Sequence, residues 1–180
     1  MKLNIKKSVS EIIVVLTLLV IASSCQKEGQ SLFKGNYTFK TSGEVTAEIV
    51  IESPTDSISS IMNPVLVTEQ GQMDIIDMGG KDGEMMLTMN VLNGDVRCFK
   101  AHASGGNLIL DPGEARVKIQ IANHGTATVA VKVSGSAVRY DNVVIFDLIY
   151  AGEGKSTIGE STAEIKITDS KIQCVAKLNE

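Results

Sequence analysis

The sequence predicts an all-β protein, an antiparallel meander that closes into a β-barrel or, failing closure, a β-sandwich. Three observations carry this. Short runs of alternating apolar and polar residues recur at roughly the 8–12-residue spacing of sandwich and barrel strands. Glycine, asparagine, aspartate and serine, the residues that supply turns, separate the runs. No run keeps a helical apolar period long enough for an α/β unit. Hairpin after hairpin favours a meander, and closing it removes the unpaired edges an open sheet leaves.

The first element lies outside that fold. Lys2, Lys6 and Lys7 make a positively charged start, and residues 12–21 are apolar apart from Thr17. A helix needs about 20 residues to cross a bilayer core, so this run is too short; it has the form of a secretory signal. Ala22, Ser23 and Ser24 then lead to Cys25. Residues 22–25 resemble the lipobox of Bacteroides-type lipoproteins. The resemblance implies a signal peptide over residues 1–24, cleavage before Cys25, lipid such as palmitate on its sulfur and new amine, and an outer-membrane anchor. Gln26, Lys27 and Glu28 resemble the charged tag that sends some of these proteins to the outer surface; the periplasmic face is the alternative. An ordinary cleavable signal and an uncleaved anchor are the competing readings of the whole stretch. Residues 25–33 then form the lipidated N-terminus and tether, and residues 34–180 a single all-β domain.

Within the domain, residues 36–40 form the first strand. Residues 45–51 alternate, with Val45, Ala47, Ile49 and Ile51 on one face. Residues 52–63 read as a loop, closed by Pro64, and residues 64–69 as an edge strand. Residues 72–78 and 84–91 follow, joined by a glycine-rich turn, with Met85, Leu87, Met89 and Val91 sharing a face. Asn93-Gly94 signals a hairpin, because both central residues of a type I′ turn need φ > 0. Residues 95–103 return, Gly105-Gly106 turns into 108–110, and Asp111-Pro112-Gly113 turns again. Residues 115–122 turn Val117, Ile119 and Ile121 inward; residues 126–133 do the same with Ala127, Val129, Val131 and Val133. Ser134-Gly135-Ser136 turns into 137–140. Residues 142–151 are apolar on both faces, which predicts a central or doubly covered strand. Residues 162–168 and 171–178 close the chain as a hairpin about Asp169-Ser170, with Ile172, Cys174, Ala176 and Leu178 on one face. The total is about ten to twelve short strands.

Composition excludes some functions. Cleavage before Cys25 removes three lysines and one glutamate from 17 basic and 21 acidic residues, leaving 14 against 20. An acidic chain without a basic cluster argues against nucleic acid. Tryptophan is absent, which weighs against stacking on sugar rings. Cys98 and Cys174 are the cysteines left in the domain; they are either a disulfide, which an envelope compartment permits, or two separate thiols. Without a CxxC pair or a neighbouring histidine they do not suggest zinc, and no metal or cofactor is expected.

Catalytic signals are thin. Residues 152–157 (GEGKST) share the tail of a phosphate loop, but Ile149 stands where its first glycine belongs, so they read as a hairpin loop. His102 and His124 have no partnered nucleophile in sequence, and Asp74, Asp77 and Asp82 lack calcium-loop spacing. The chain is therefore read as non-enzymatic. Asp147 stands out as a carboxylate between Ile145 and Ile149 on an apolar strand. Met73, Met78, Met85, Met86 and Met89 crowd two neighbouring strands, which suits either plain core filling or an adaptable apolar pocket. Asp56-Ser57-Ile58 resembles the O-glycosylation sequon of Bacteroides-type exported proteins, which implies Ser57 as an acceptor.

With its lipobox, the opening Gly35-Asn36-Tyr37-Thr38 strand and its many strands, the chain resembles small lipocalin/calycin-like barrel lipoproteins. That resemblance implies a small apolar or amphipathic ligand held by Met85, Leu87, Met89, Ile145, Phe146 and Asp147. The alternative is an adhesive, assembly or protein-interaction module with no ligand pocket, presenting a free strand edge or an exposed apolar patch.

Overall fold

In the computed structural model eight antiparallel strands, each bonded to the next and the last to the first, form a closed meander barrel. The strands are β1 (Gly35–Glu52), β2 (Ser59–Asp77), β3 (Glu84–Val91), β4 (Val96–Ser104), β5 (Asn107–Ile121), β6 (Gly125–Tyr140), β7 (Val143–Ile158) and β8 (Ser161–Leu178). The structure describes residues 29–52, 59–79, 83–92, 94–121 and 125–180. Cys25, Ser57, Asp82, Asn93 and His124 lie outside the described residues.

The all-β meander barrel is as the alternation predicts, but with fewer and longer strands. Short strands expected on either side of Gly43, Gly71, Gly113 and Gly135 are continuous through those glycines. The expected hairpin at Asp169-Ser170 is the middle of β8, and residues 152–157 are β7 rather than a loop. The reason is the coiling that closes a barrel. A Cβ on Gly43 would lie 2.1 Å from the Lys171 carbonyl oxygen, and one on Gly135 2.2 Å from that of Asp147. Glycine here marks close approach of neighbouring backbones, not reversal of the chain. Elsewhere the ladder slips its register, at Thr46/Ala47, Leu110/Gly113 and Leu148/Gly152. Such bulges bend strands without ending them.

Alternation sorts the side chains by solvent. Val45, Ala47, Ile49 and Ile51 of β1, and Ile172, Cys174 and Ala176 of β8, face a single buried core, as expected. The opposite row of β1 is Asn36, Thr38, Lys40, Ser42 and Glu44 and faces water. A barrel that crosses a bilayer carries an apolar outer band and a polar lumen. On β1 that polarity is reversed, with the apolar row toward the core and the polar row outward. Strand β7 is not doubly covered: Val144, Phe146, Leu148 and Tyr150 point inward, while Ile149 on the other face is 60% exposed.

One end of the barrel is stoppered. Residues 29–33, expected as tether, form a helical turn whose Phe33 is fully buried. The Tyr37 hydroxyl donates to the Phe33 carbonyl at 2.7 Å, and the Arg139 guanidinium donates to the Leu32 carbonyl. Residues 29–33 therefore pack as part of the fold.

Close approach should make certain glycines irreplaceable. Gly135→Ala is expected to cost about 1–3 kcal/mol by overpacking, whereas Gly106→Ala, with open space around it, should stay within about 0.5 kcal/mol of the parent. Urea melts of the two variants check this.

Candidate functional site: a cleft above a buried ion pair

The hairpin of β3 and β4 is shorter than the strands beside it. Strand β2 pairs with β3 only from Gly71 to Asp77, and β5 pairs with β4 only from Asn107 to Leu110. Past the hairpin both strands run on, laddered to β1 and β6 alone. Each thus presents an unpaired edge: residues 59–69 of β2, the Gln70 carbonyl being taken by the Leu92 N–H at 2.8 Å, and residues 111–121 of β5, which leaves Val96–Lys100 of β4 without a ladder partner on that side. Pro64 and Pro112 sit on these segments, where a strand can best tolerate a missing N–H.

At the foot of this opening lies a buried ion pair. Arg97 of β4 forks onto the Glu69 carboxylate of β2, with Nη1 to Oε2 at 2.8 Å and Nη2 to Oε1 at 2.7 Å. Its Nη2 also donates to the Arg116 carbonyl of β5 at 3.0 Å. One guanidinium therefore joins the hairpin to both open strands. The Arg97 side chain is 5% exposed and that of Glu69 16%. Burial lowers the guanidinium's hold on its proton, but bonding to Glu69 and its charge outweigh this, so the pKa of Arg97 is raised. The Arg97 Nε has no hydrogen-bond partner.

Around the pair sit the few polar groups of the interior. Burial and the Glu69 charge push the Tyr150 hydroxyl up. Burial drives the Cys174 thiol up to about 12. Above the pair opens a cleft of about 830 Å³, with Leu66 and Thr68 of β2, Leu92 of the β3–β4 turn, and Arg116 and Lys118 of β5 on its walls. Leu66 is 75% exposed.

The residues singled out from sequence fall elsewhere. Met85, Leu87, Met89 and Phe146 do converge, but inside the core, where they are almost wholly buried. Met73 pairs with Met89 across the β2–β3 ladder and is buried with it. Met86 is half-buried and Met78 exposed. Ile145 and Asp147 do not join the buried group. They point to the outer wall because β7 turns its even-numbered residues inward. Asp147 is exposed, its Oδ1 3.5 Å from the Gln173 amide. Asp147 instead borders a second concavity, of about 890 Å³, on the outer wall of β5 to β8 and β1. No disulfide joins Cys98 and Cys174: both are free, Cys98 exposed on β4 and Cys174 buried on β8. His102 meets Asp111 in an exposed pair at 3.3 Å. Among the described residues no cluster of histidine, cysteine and carboxylates could hold a metal.

Sequence reasoning missed Arg97 and Glu69. The signal was present. Arg97 shares its row with Phe99, Ala101 and Ala103, and Glu69 continues the row Val65, Val67 across Gly71 to Met73. Reading β2 as one strand would have placed a carboxylate in the core opposite a buried arginine.

No family model matches the chain, and no curated protein matches it. Among solved structures the chain is similar to Ail, the attachment invasion locus protein of Yersinia pestis. The identity is 8% and the TM-score 0.29, over 81% of this chain and 100% of that one. A likeness that distant carries no argument about this chain.

Two outcomes follow from the buried groups. Glu69→Leu alone should cost about 3–5 kcal/mol, by stranding a buried guanidinium, while Glu69→Leu with Arg97→Met should recover most of that loss; chemical denaturation of both variants separates them. Tyr37, Tyr150 and Cys174 keep their protons in the fold at pH values where the unfolded chain has shed them. The contribution of Cys174 is thus full below the unfolded thiol value near 9 and is lost as pH rises through about 12, while those of Tyr37 and Tyr150 are full below the unfolded value near 10 and are lost above it. Urea midpoints should fall over that range, less so in Cys174→Ala. In the native protein at pH 8 a thiol reagent should modify Cys98 and spare Cys174.

Proposed function

We propose that the chain is a cell-envelope lipoprotein, anchored by acylated Cys25, that works as a non-enzymatic protein-interaction module through the cleft between β2 and β5. The pair of open strand edges carries this reading. An edge of unpaired N–H and C=O groups is a template for another strand, and strand addition to such an edge is a recurring mode of peptide recognition. Leu66 and Leu92 at the cleft, 75% and 59% exposed, add apolar contact where a monomer gains nothing by exposing it.

An apolar ligand inside the barrel fits less well. Met85, Leu87, Met89 and Phe146 already pack against one another and their neighbours in one core. A ligand there would have to displace side chains packed at interior density, which costs their mutual contacts. The anchor is supported by the charged, apolar and small-residue succession that ends at Cys25. Among the described residues no helix is long and apolar enough to cross a membrane.

Site-specific photo-crosslinking in cells tests the interaction. A crosslinker at Leu66 or Lys118 should give a discrete protein adduct, and one at Ile149 on the closed wall should not. Equal labelling at all three positions, or a stoichiometric lipid co-purifying with a protein that forms no adducts, would overturn the reading. Cys25→Ser should release the protein from the membrane fraction and abolish its labelling by a palmitate analogue.

A further inference from the structure

We propose that the occupant of the cleft is an extended peptide segment of alternating acidic and apolar residues, added as a strand to the open edge of β5. This rests on the interaction reading above and assigns the partner's chemistry.

The charges of the cleft point to it. Arg116 and Lys118 are successive outward residues of β5, and Lys40 stands on the outer row of β1; all three line the cleft and are exposed. Among the described residues none of them forms an ion pair. The cleft's own carboxylates are Asp95 and Glu69, and Glu69 is already matched by Arg97. The cleft thus gathers three exposed, unpaired cations around a single unmatched carboxylate, Asp95.

Strand geometry fixes the partner's pattern. On one face of a paired sheet, directly opposite side chains sit about 4.5–5.5 Å apart at Cβ, and alternate residues share a face. Carboxylates at alternate positions would therefore stand opposite Arg116 and Lys118. The residues between them would turn inward over Val67 and Val117, which line the cleft and are apolar and buried. Main-chain bonds to the β5 edge supply affinity, and the charges supply register and rate of encounter. The unpartnered Arg97 Nε leaves one further donor at the foot of the cleft.

The test uses the full chain in detergent and fluorescent peptides of about ten residues, a length sufficient for one strand. One peptide alternates Glu and Val, a second alternates Lys and Val, and a third alternates Glu and Pro, keeping the charge but blocking strand pairing. The Glu/Val peptide should bind at least about tenfold tighter than either control, and R116E/K118E should weaken it at least about tenfold, differences of about 1.4 kcal/mol or more. Its binding should also weaken with added salt. Circular dichroism and melting verify that the variant folds; should it not, Lys118→Glu alone gives the same reading with a smaller loss. Preference for the Lys/Val peptide would overturn the acidic partner and leave edge recognition standing. Equal binding of the Glu/Pro peptide would overturn strand addition. Binding of no peptide would overturn this inference, and crosslinking at Leu66 and Lys118 would then decide separately whether the cleft has a partner of another kind.

Discussion

The fork between Arg97 and Glu69 sets where the closed ring gives way to open edges. Below it β3 and β4 fill the space between β2 and β5. Above it nothing in the backbone ladder ties those two strands together, and each would be free to splay. Arg97 is the group that holds them, through a carboxylate on one side and a carbonyl on the other. Only a planar guanidinium offers enough donors in fixed directions for both; a lysine ammonium is a point charge on a flexible stem. Two buried charges cost more in desolvation than an apolar pair of the same shape would. Their use at this one level, among buried groups that are otherwise uncharged in the described residues, fits a role in fixing geometry rather than adding stability.

That geometry decides where chemistry can happen. The interior is packed, and burial holds the Cys174 thiol and the Tyr150 hydroxyl protonated above their ordinary range. Asp147, the carboxylate that sequence reading favoured, faces water. On the surface the described residues offer the concave wall beside Asp147 and the pair of open strand edges. Strand β5 reaches its open stretch through the Asp111–Gly113 bulge, where the Phe99 ring occupies the space a Cβ on Gly113 would need. The same aromatic contact that fills the core therefore bends β5 away from β4 and exposes its edge.

The fold was legible in the sequence because alternation is a local signal. The rows Val45 to Ile51, Val117 to Ile121 and Ala127 to Val133 needed only period two and a solvent on one side. Strand ends were less legible, because glycine has two uses. At Gly105, with φ of 58°, it turns the chain, whereas at Gly43 and Gly135 it lets strands coil past one another. Composition around a glycine does not separate these. The buried pair was hidden for the same reason, since splitting β2 at Gly71 put Glu69 at a strand end, where a carboxylate draws no notice. Asp147 failed differently. Its row and the Phe146 row are both apolar, so period two could not say which faced in.

The stopper turn closes the base of the barrel. Gly29 lies against Gly105 and Ala103 at the base, and Phe33 is sealed beneath Tyr37. With Cys25 acylated as proposed, the four residue steps to Gly29 span at most about 14 Å, so the base must sit near the lipid. Strand β8, 18 residues long, rises about 3.3 Å per residue and tilts some 40° in a barrel, giving a height of roughly 45 Å. Thr41, the ladder partner of Glu69, lies six residues beyond Gly35 on β1, which puts the foot of the cleft about 15 Å above the base on the same scale. The open edges then face outward from the membrane along the upper part of the barrel. A partner strand could reach them from the aqueous side without meeting the bilayer.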